Sequence, residues 1–247
     1  MVWLLLAFTS AALLGFYDVF KKQALDGNAV LPVLFFNTLF CSFIVLSATT
    51  DCLDGSMFYV PVVGWDVHKY ILLKSLIVLS SWLLAYFGMK HIPLTIYGPI
   101  NATRPILVLV GALLLFGEQL NKFQWIGVGL AVISYFMLSR TSKKEGIDFK
   151  HNKWIFAIAG AAVLGALSGL YDKYLMASPS SGGVGLNKMD VQSWYNVYQA
   201  FIMGAMVLLL WWPTHKKTTP FRWRWSIVLV SIFLSVADFV YFYALSI

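Results

Sequence analysis

The chain has 247 residues, 60% of them hydrophobic and 12% charged, where a soluble domain carries roughly one quarter charged residues. The net charge of +7 does not point to nucleic acid, because Lys and Arg gather at the ends of apolar runs and form no single basic face. What is left is an all-α, polytopic helical membrane protein with the lipid bilayer as its solvent.

A span needs roughly 20 mostly apolar residues, which predicts eight helices, at about 2–20, 30–50, 70–89, 93–116, 123–139, 154–176, 191–212 and 224–247. Residues 1–17 are apolar apart from Thr9 and Ser10 and lack a basic n-region and an evident cleavage site, so they read as a helix and not a signal peptide. This helix closes on "GFYDVFKK", where Tyr17 and Asp18 precede Lys21 and Lys22. The lysines stand at i+3 and i+4 from Asp18, the spacing at which a helix pairs opposite charges.

The second helix carries Asn37 and Cys41, while Cys52 lies beyond its end, a separation that gives neither a disulfide nor a metal spacing. Both cysteines read as packing residues. On the third helix Trp82 and Tyr86 share a face at i and i+4; they line an amphipathic pocket or belong to packing and interfacial belts. The fourth carries Arg104 about a dozen residues in, among Pro93, Pro99 and Pro105. Those prolines predict a kinked or broken helix with freed carbonyls. The planar fork of Arg104 suits a carboxylate or phosphate, the alternatives being mutual neutralisation with Asp238 or snorkelling to a headgroup. Glu118, just after this helix, reads as a cap or loop anchor.

Gly160, Gly165 and Gly169 recur along the sixth helix, where small residues let helices approach closely. It ends in "GLYDKYLM", with Tyr171 and Asp172 but no lysine at i+3 or i+4. The connector "SPSSGGVGLNK" lacks phosphate-loop spacing and reads as a flexible linker. Asn196, Trp194 and Tyr198 lie on the seventh helix; Asp238 and Tyr241 lie on the eighth. An ionisable group at the bilayer centre costs about 2.5–3.5 kcal/mol. Asp238 is therefore a candidate proton or cation site, or the partner of a cationic substrate group, set against a carboxylate satisfied by neighbouring helices.

The chain repeats itself. "GFYD" lies over "GLYD", Asn37 over Asn196, and "SSWLLAYFGMKHI" over "SVADFVYFYALSI", which puts Tyr86 on Tyr241. The first three helices thus correspond to the sixth, seventh and eighth, and a repeat unit of five inverts the second copy in the bilayer. The expected division is a first repeat at 1–140, a basic connecting loop at 141–153, and a second repeat at 154–247 that lacks a ninth and tenth helix. Inversion puts Asp18 and Asp172 near opposite faces. With Tyr17 and Tyr171 they read as matched gate or helix-end groups, or as plain interfacial anchors.

The ordered set of features resembles the EamA-type family of the drug/metabolite transporter superfamily. It comprises the glycine-containing first helix ending at Lys22, the proline-rich entry to the fourth helix, "GE" at Gly117 and Glu118, and "WIGVGLAVISYFML". The resemblance implies a ten-helix secondary transporter that moves small metabolites by alternating access through a cavity between its repeats.

The resulting expectation is a carrier of a small polar metabolite, such as an amino acid, with protons as a candidate coupling ion. A sugar or nucleotide-sugar carrier is the alternative. Arg104, Asp238, Asn37, Asn196, Tyr86, Tyr241 and Trp82 are the candidate substrate or coupling residues. His68, His91, His151 and His215 are scattered without ligand spacing, which argues against a membrane-embedded enzyme and against metal, redox or nucleotide cofactors. A scaffold would not require mid-membrane Arg and Asp. A bacterial inner membrane is the expected location. The bias of Lys and Arg between connectors favours an amino terminus outside, which counts Lys69, Lys74, Lys122, Lys173 and Lys188 as outside cations.

Overall fold

The computed structural model describes residues 2–50, 63–117, 121–142, 152–215 and 217–245. Cys52, Glu118, residues 143–151 of the basic connector, and the last matched positions of the repeat, Ser246 and Ile247, lie outside them. Among the described residues the regular structure is all helical, as a bilayer demands of segments that must satisfy their own backbone. In chain order the helices are α1 (Val2–Leu25), α2 (Val30–Thr50), α3 (Trp65–His91), α4 (Leu94–Asn101), α5 (Arg104–Phe116), α6 (Lys122–Ser142), α7 (Lys153–Met176), α8 (Lys188–Met206) and α9 (Ser226–Leu245). A wider π-helical stretch, Val207–His215, continues α8 and contains Pro213, which brings no N–H to the helical ladder.

Among the described residues, six stretches are long and apolar enough to cross a membrane: Leu4–Leu25, Trp65–His91, Leu94–Leu115, Lys153–Met176, Lys188–Thr214 and Ser226–Ala244. The apolar part of α2, Val30–Leu46, is shorter. The chain is a polytopic helical membrane protein.

The expected fourth span is broken. α4 ends at Asn101 and α5 restarts at Arg104, with Pro99 inside α4 and Pro105 in the first turn of α5. Pro105 has no N–H for the carbonyl of Asn101, so the chain tightens instead: Thr103 N and Thr103 Oγ1 both donate to Ile100 O, at 3.2 and 2.7 Å. Gly117 closes α5 with φ of 63°, a left-handed cap that glycine adopts without Cβ strain.

Two expectations are corrected. α3 begins at Trp65 and not near residue 70, because its helix runs on through interfacial charges; Asp66 in its first turn suits the positive end of the helix dipole. The connector after α7 is not a loose linker. Val184 N and Leu186 N donate back to Tyr174 O and Leu175 O at 3.1 and 2.8 Å, and Asn187 Oδ1 caps α8 by accepting from Met189 N at 2.8 Å.

The chain forms two compact units, residues 1–76 with 173–247, and residues 77–172. In the first, α1 lies along α9: Ser10 Oγ donates to Ala237 O at 3.0 Å, and the rings of Phe16 and Phe20 stack on Phe233. α2 packs against α8 and α9. The turn between α1 and α2, with Gly27 at φ of 58°, docks on the approach to α9 through Asn28. That buried amide accepts from Ala29 N and Arg222 N, both at 2.9 Å, and donates to Ala24 O and Arg222 O at 3.1 and 2.7 Å.

In the second unit α3 and α7 meet closely. Ser81 Oγ donates to Ala161 O at 2.7 Å, and the ring of His91 stacks on Trp154 at 3.8 Å. A Cβ on Gly88 would run into the Ile158 side chain. Gly88→Ala is expected to cost about 1–3 kcal/mol, read as a lowered thermal midpoint in detergent. Gly98→Ala, at a glycine with open space around it, is the neutral control.

Candidate functional site

Asp238 lies just past the middle of α9. It shares a helical stripe with Ser231, Ser235 and Phe242, all buried, while Leu229, Ile232 and Val236 face outward. The carboxylate is itself half-buried. From α8, Tyr195 donates its phenolic hydrogen to Asp238 Oδ2. From α3, Lys74 sets its ammonium 5.0 Å from the ring centres of both Tyr195 and Phe242, whose own centroids are 6.1 Å apart. Lys74 is only 2% exposed. The early start of α3 sets it nine residues into the helix, where aromatic faces receive its charge.

α8 is polar on its buried sides. Asp190, Gln192, Ser193, Asn196 and Gln199 are all buried in one membrane-length helix. Gln192 Nε2 donates to Ser235 O at 3.3 Å, and Asn196 Nδ2 donates to Gln192 O on its own helix at 2.8 Å. Both ends of the Gln199 amide, Asp190 Oδ1, Ser193 Oγ and the Trp194 indole nitrogen make no hydrogen bond among the described residues. Each such group costs about 1–3 kcal/mol when left buried. Tyr198 Oη lies 2.9 Å from His68 Nδ1, and Trp194 meets the same imidazole edge-on at 4.7 Å.

Arg104 opens α5, where a cation faces the positive end of the helix dipole. Its Nη2 donates to Ser81 Oγ at 3.2 Å, while Nε is buried with no hydrogen-bond partner among the described residues. The guanidinium lies where a Cβ on Gly165 would stand, so Gly165 makes room for a side chain on α5. Gly165→Ala is expected to push the guanidinium off Ser81. Because the displaced group is the tip of a flexible side chain, the loss of stability is expected to stay below about 1–3 kcal/mol. The double variant should be no less stable than Arg104→Ala alone, as thermal midpoints would show. Arg104 belongs to the second unit and Asp238 to the first.

The remaining candidates fall in varied places. Asn37 is fully buried and joins α2 to α9: its Oδ1 accepts from Ser231 Oγ at 3.1 Å, and Cys41 Sγ donates to Ser231 O at 3.6 Å. Tyr86 is fully buried, Trp82 and Tyr241 are half-buried, and Tyr241 meets Phe242 edge-on. Asp18 accepts from Lys21 Nζ at 2.6 Å, and that ammonium also lies 4.3 Å from the Tyr17 ring centre. Lys21 itself is buried. Asp172 is buried and Tyr171 half-buried in the second unit.

Sequence reasoning missed Lys74, Tyr195, Ser81 and Gln199. The usable signal was α8 itself, where Asp190, Gln192, Ser193, Asn196 and Gln199 crowd a span that lipid alone would keep apolar.

Residues 1–140 match the EamA-like transporter family. Over 68 residues, 27% of the chain, there is 31% identity to the probable 4-amino-4-deoxy-L-arabinose-phosphoundecaprenol flippase subunit ArnE of Aeromonas salmonicida (strain A449). The chain matches 60% of that relative's length. A crystal structure of another protein superposes with a TM-score of 0.60 at 15% identity, covering 98% of this chain and 78% of its own. That likeness bears on fold alone.

Proposed function

This chain belongs to the EamA-like transporter family, and we infer from that membership that it is a secondary transporter of a small polar metabolite working by alternating access. The observation that carries the reading is the polar interior of α8: buried hydrogen-bonding atoms of Asp190, Ser193, Trp194 and Gln199 without partners among the described residues. In a bilayer such groups are expensive, and a hydrophilic cargo passing along α8 supplies what they lack. An amino acid or related compound fits the mixture of cations, carboxylates and amides. Asp238 is the coupling candidate, with protons as the ion. Arg104, at a helix N-terminus and with an Nε that has no hydrogen-bond partner among the described residues, is a candidate anion-binding group. The inverted repeat, 1–140 against 154–247, supplies the two halves that rock, and a bacterial cytoplasmic membrane is the setting.

The flippase named among the relatives favours a second reading, transfer of a lipid-linked amino sugar between leaflets. Proteoliposomes separate the two. Uptake of water-soluble amino acids, accelerated by an imposed proton gradient, is expected for the first; movement of amino-sugar lipid between leaflets with no uptake of soluble compounds would replace it by the second.

A further inference from the structure

We propose that Lys74 and Asp238, with Tyr195 between them, form a recognition site for a zwitterion. The substrate carboxylate goes to the Lys74 ammonium and the substrate ammonium to the Asp238 carboxylate. The proposal rests on the transport reading above and narrows its substrate class.

Three helices bring these groups to one level. Lys74 follows the start of α3, Tyr195 follows the start of α8 and Asp238 precedes the end of α9, each by seven to nine residues, or roughly 10–14 Å at about 1.5 Å per residue. All three belong to one compact unit. An ammonium this deeply buried is costly, and an aromatic face returns less than burial takes from an ion. A carboxylate in the same cluster offsets the difference and leaves the site close to neutral. A neutral pair of opposite charges exchanges partners with a ligand that is itself a neutral pair of opposite charges, and no net charge enters the span. A purely anionic or purely cationic ligand would leave one charge uncompensated.

Tyr195 divides the cluster by chemistry. Its π face is turned to Lys74 and its hydroxyl donates to Asp238 Oδ2. A carboxylate has about four lone-pair sites, so Asp238 can keep the phenol while accepting a substrate ammonium. The half-buried state of Asp238 on the packed stripe of α9 leaves approach to it. One turn along α8 from Tyr195, the buried Gln199 amide, without a hydrogen-bond partner among the described residues, offers a donor and an acceptor to the rest of the ligand.

The test uses the full chain in proteoliposomes and each of the twenty standard amino acids as probe. The best-accumulated one then competes against its carboxamide, which lacks the anion, and its 2-hydroxy acid, which lacks the cation. Wild type is expected to bind both analogues at least tenfold more weakly than the parent. Lys74→Gln should close the gap for the carboxamide alone and Asp238→Asn the gap for the hydroxy acid alone, while Lys74→Arg keeps both. Thermal shift of the wild type with the same three compounds reads the ranking without any variant. Analogues that match the parent in wild type overturn the proposal, as does a carboxamide gap closed by Arg104→Gln and not by Lys74→Gln; transport itself would survive either result. Accumulation of sugars but no amino acid overturns the zwitterion and leaves a transporter. Accumulation of neither class removes both.

Discussion

Asp238→Asn is expected to lower substrate uptake about a hundredfold, corresponding to roughly 2.7 kcal/mol. The amide is nearly isosteric and retains an oxygen to accept from Tyr195, so the packing of α8 on α9 has no steric reason to change. What disappears is the negative charge in a cluster that also holds the buried ammonium of Lys74. Truncating one member of a buried charge pair costs more than the pair is worth, because the other charge is left in low dielectric. Some loss of thermal stability should therefore accompany the loss of uptake, and rates must be normalised to monodisperse, folded protein. Tyr195→Phe removes a hydroxyl and no charge, and a milder loss of about tenfold is expected from one charge-assisted hydrogen bond. Wild-type uptake in Asp238→Asn would reduce this carboxylate to a packing group.

The largest effect on stability is expected at Asn28→Ala, which no functional argument singles out. Its side chain makes four hydrogen bonds, two within the α1–α2 turn and two that hold the turn against the backbone of residue 222. Each is worth about 0.5–1.5 kcal/mol net, and a buried N–H left unpaired adds about 1–3 kcal/mol. A loss of about 3–4 kcal/mol follows, which at roughly 2–4 °C per kcal/mol for a chain of this size is a drop of about 10 °C in thermal midpoint. Asn28→Asp keeps the acceptor for Ala29 N and Arg222 N and loses both donors, so it should fall between. The guanidinium of Arg224, which donates to Gln23 O at 2.7 Å and lies 3.7 Å from the exposed carboxylate of Asp26, holds the same turn more weakly because water screens that pair.

The fold was legible because lipid imposes its requirements on long stretches at once. Apolar runs marked the helices, and Pro99 and Pro105 foretold the break that the structure places at residues 102–103. The pairing of Asp18 with Lys21 followed from helix spacing alone. Lys74 was hidden by the same logic that found the helices. A ruler that starts where charges stop trims the charged turn of a helix, so a lysine two turns inside α3 passed as an interfacial one. Tyr195 could not be ranked above Tyr198 or Tyr241 from sequence, since what distinguishes it is a carboxylate on another helix, 43 residues away. Gly165 misled in a different way. It was legible as a close-approach residue, but the group that approaches is a guanidinium from α5 and not a backbone.

Lys21 and Lys74, both buried in the first unit, differ in what their neighbourhoods can sense. Lys21 finds Asp18 and the Tyr17 ring on its own helix, so a slide or turn of α1 as a rod leaves those two contacts intact. Lys74 shares its cluster with side chains from two other helices, and any shift of α3 against α8 or α9 pulls an ammonium off its aromatic seat. One pair travels with its helix, and the other registers whether three helices are in step.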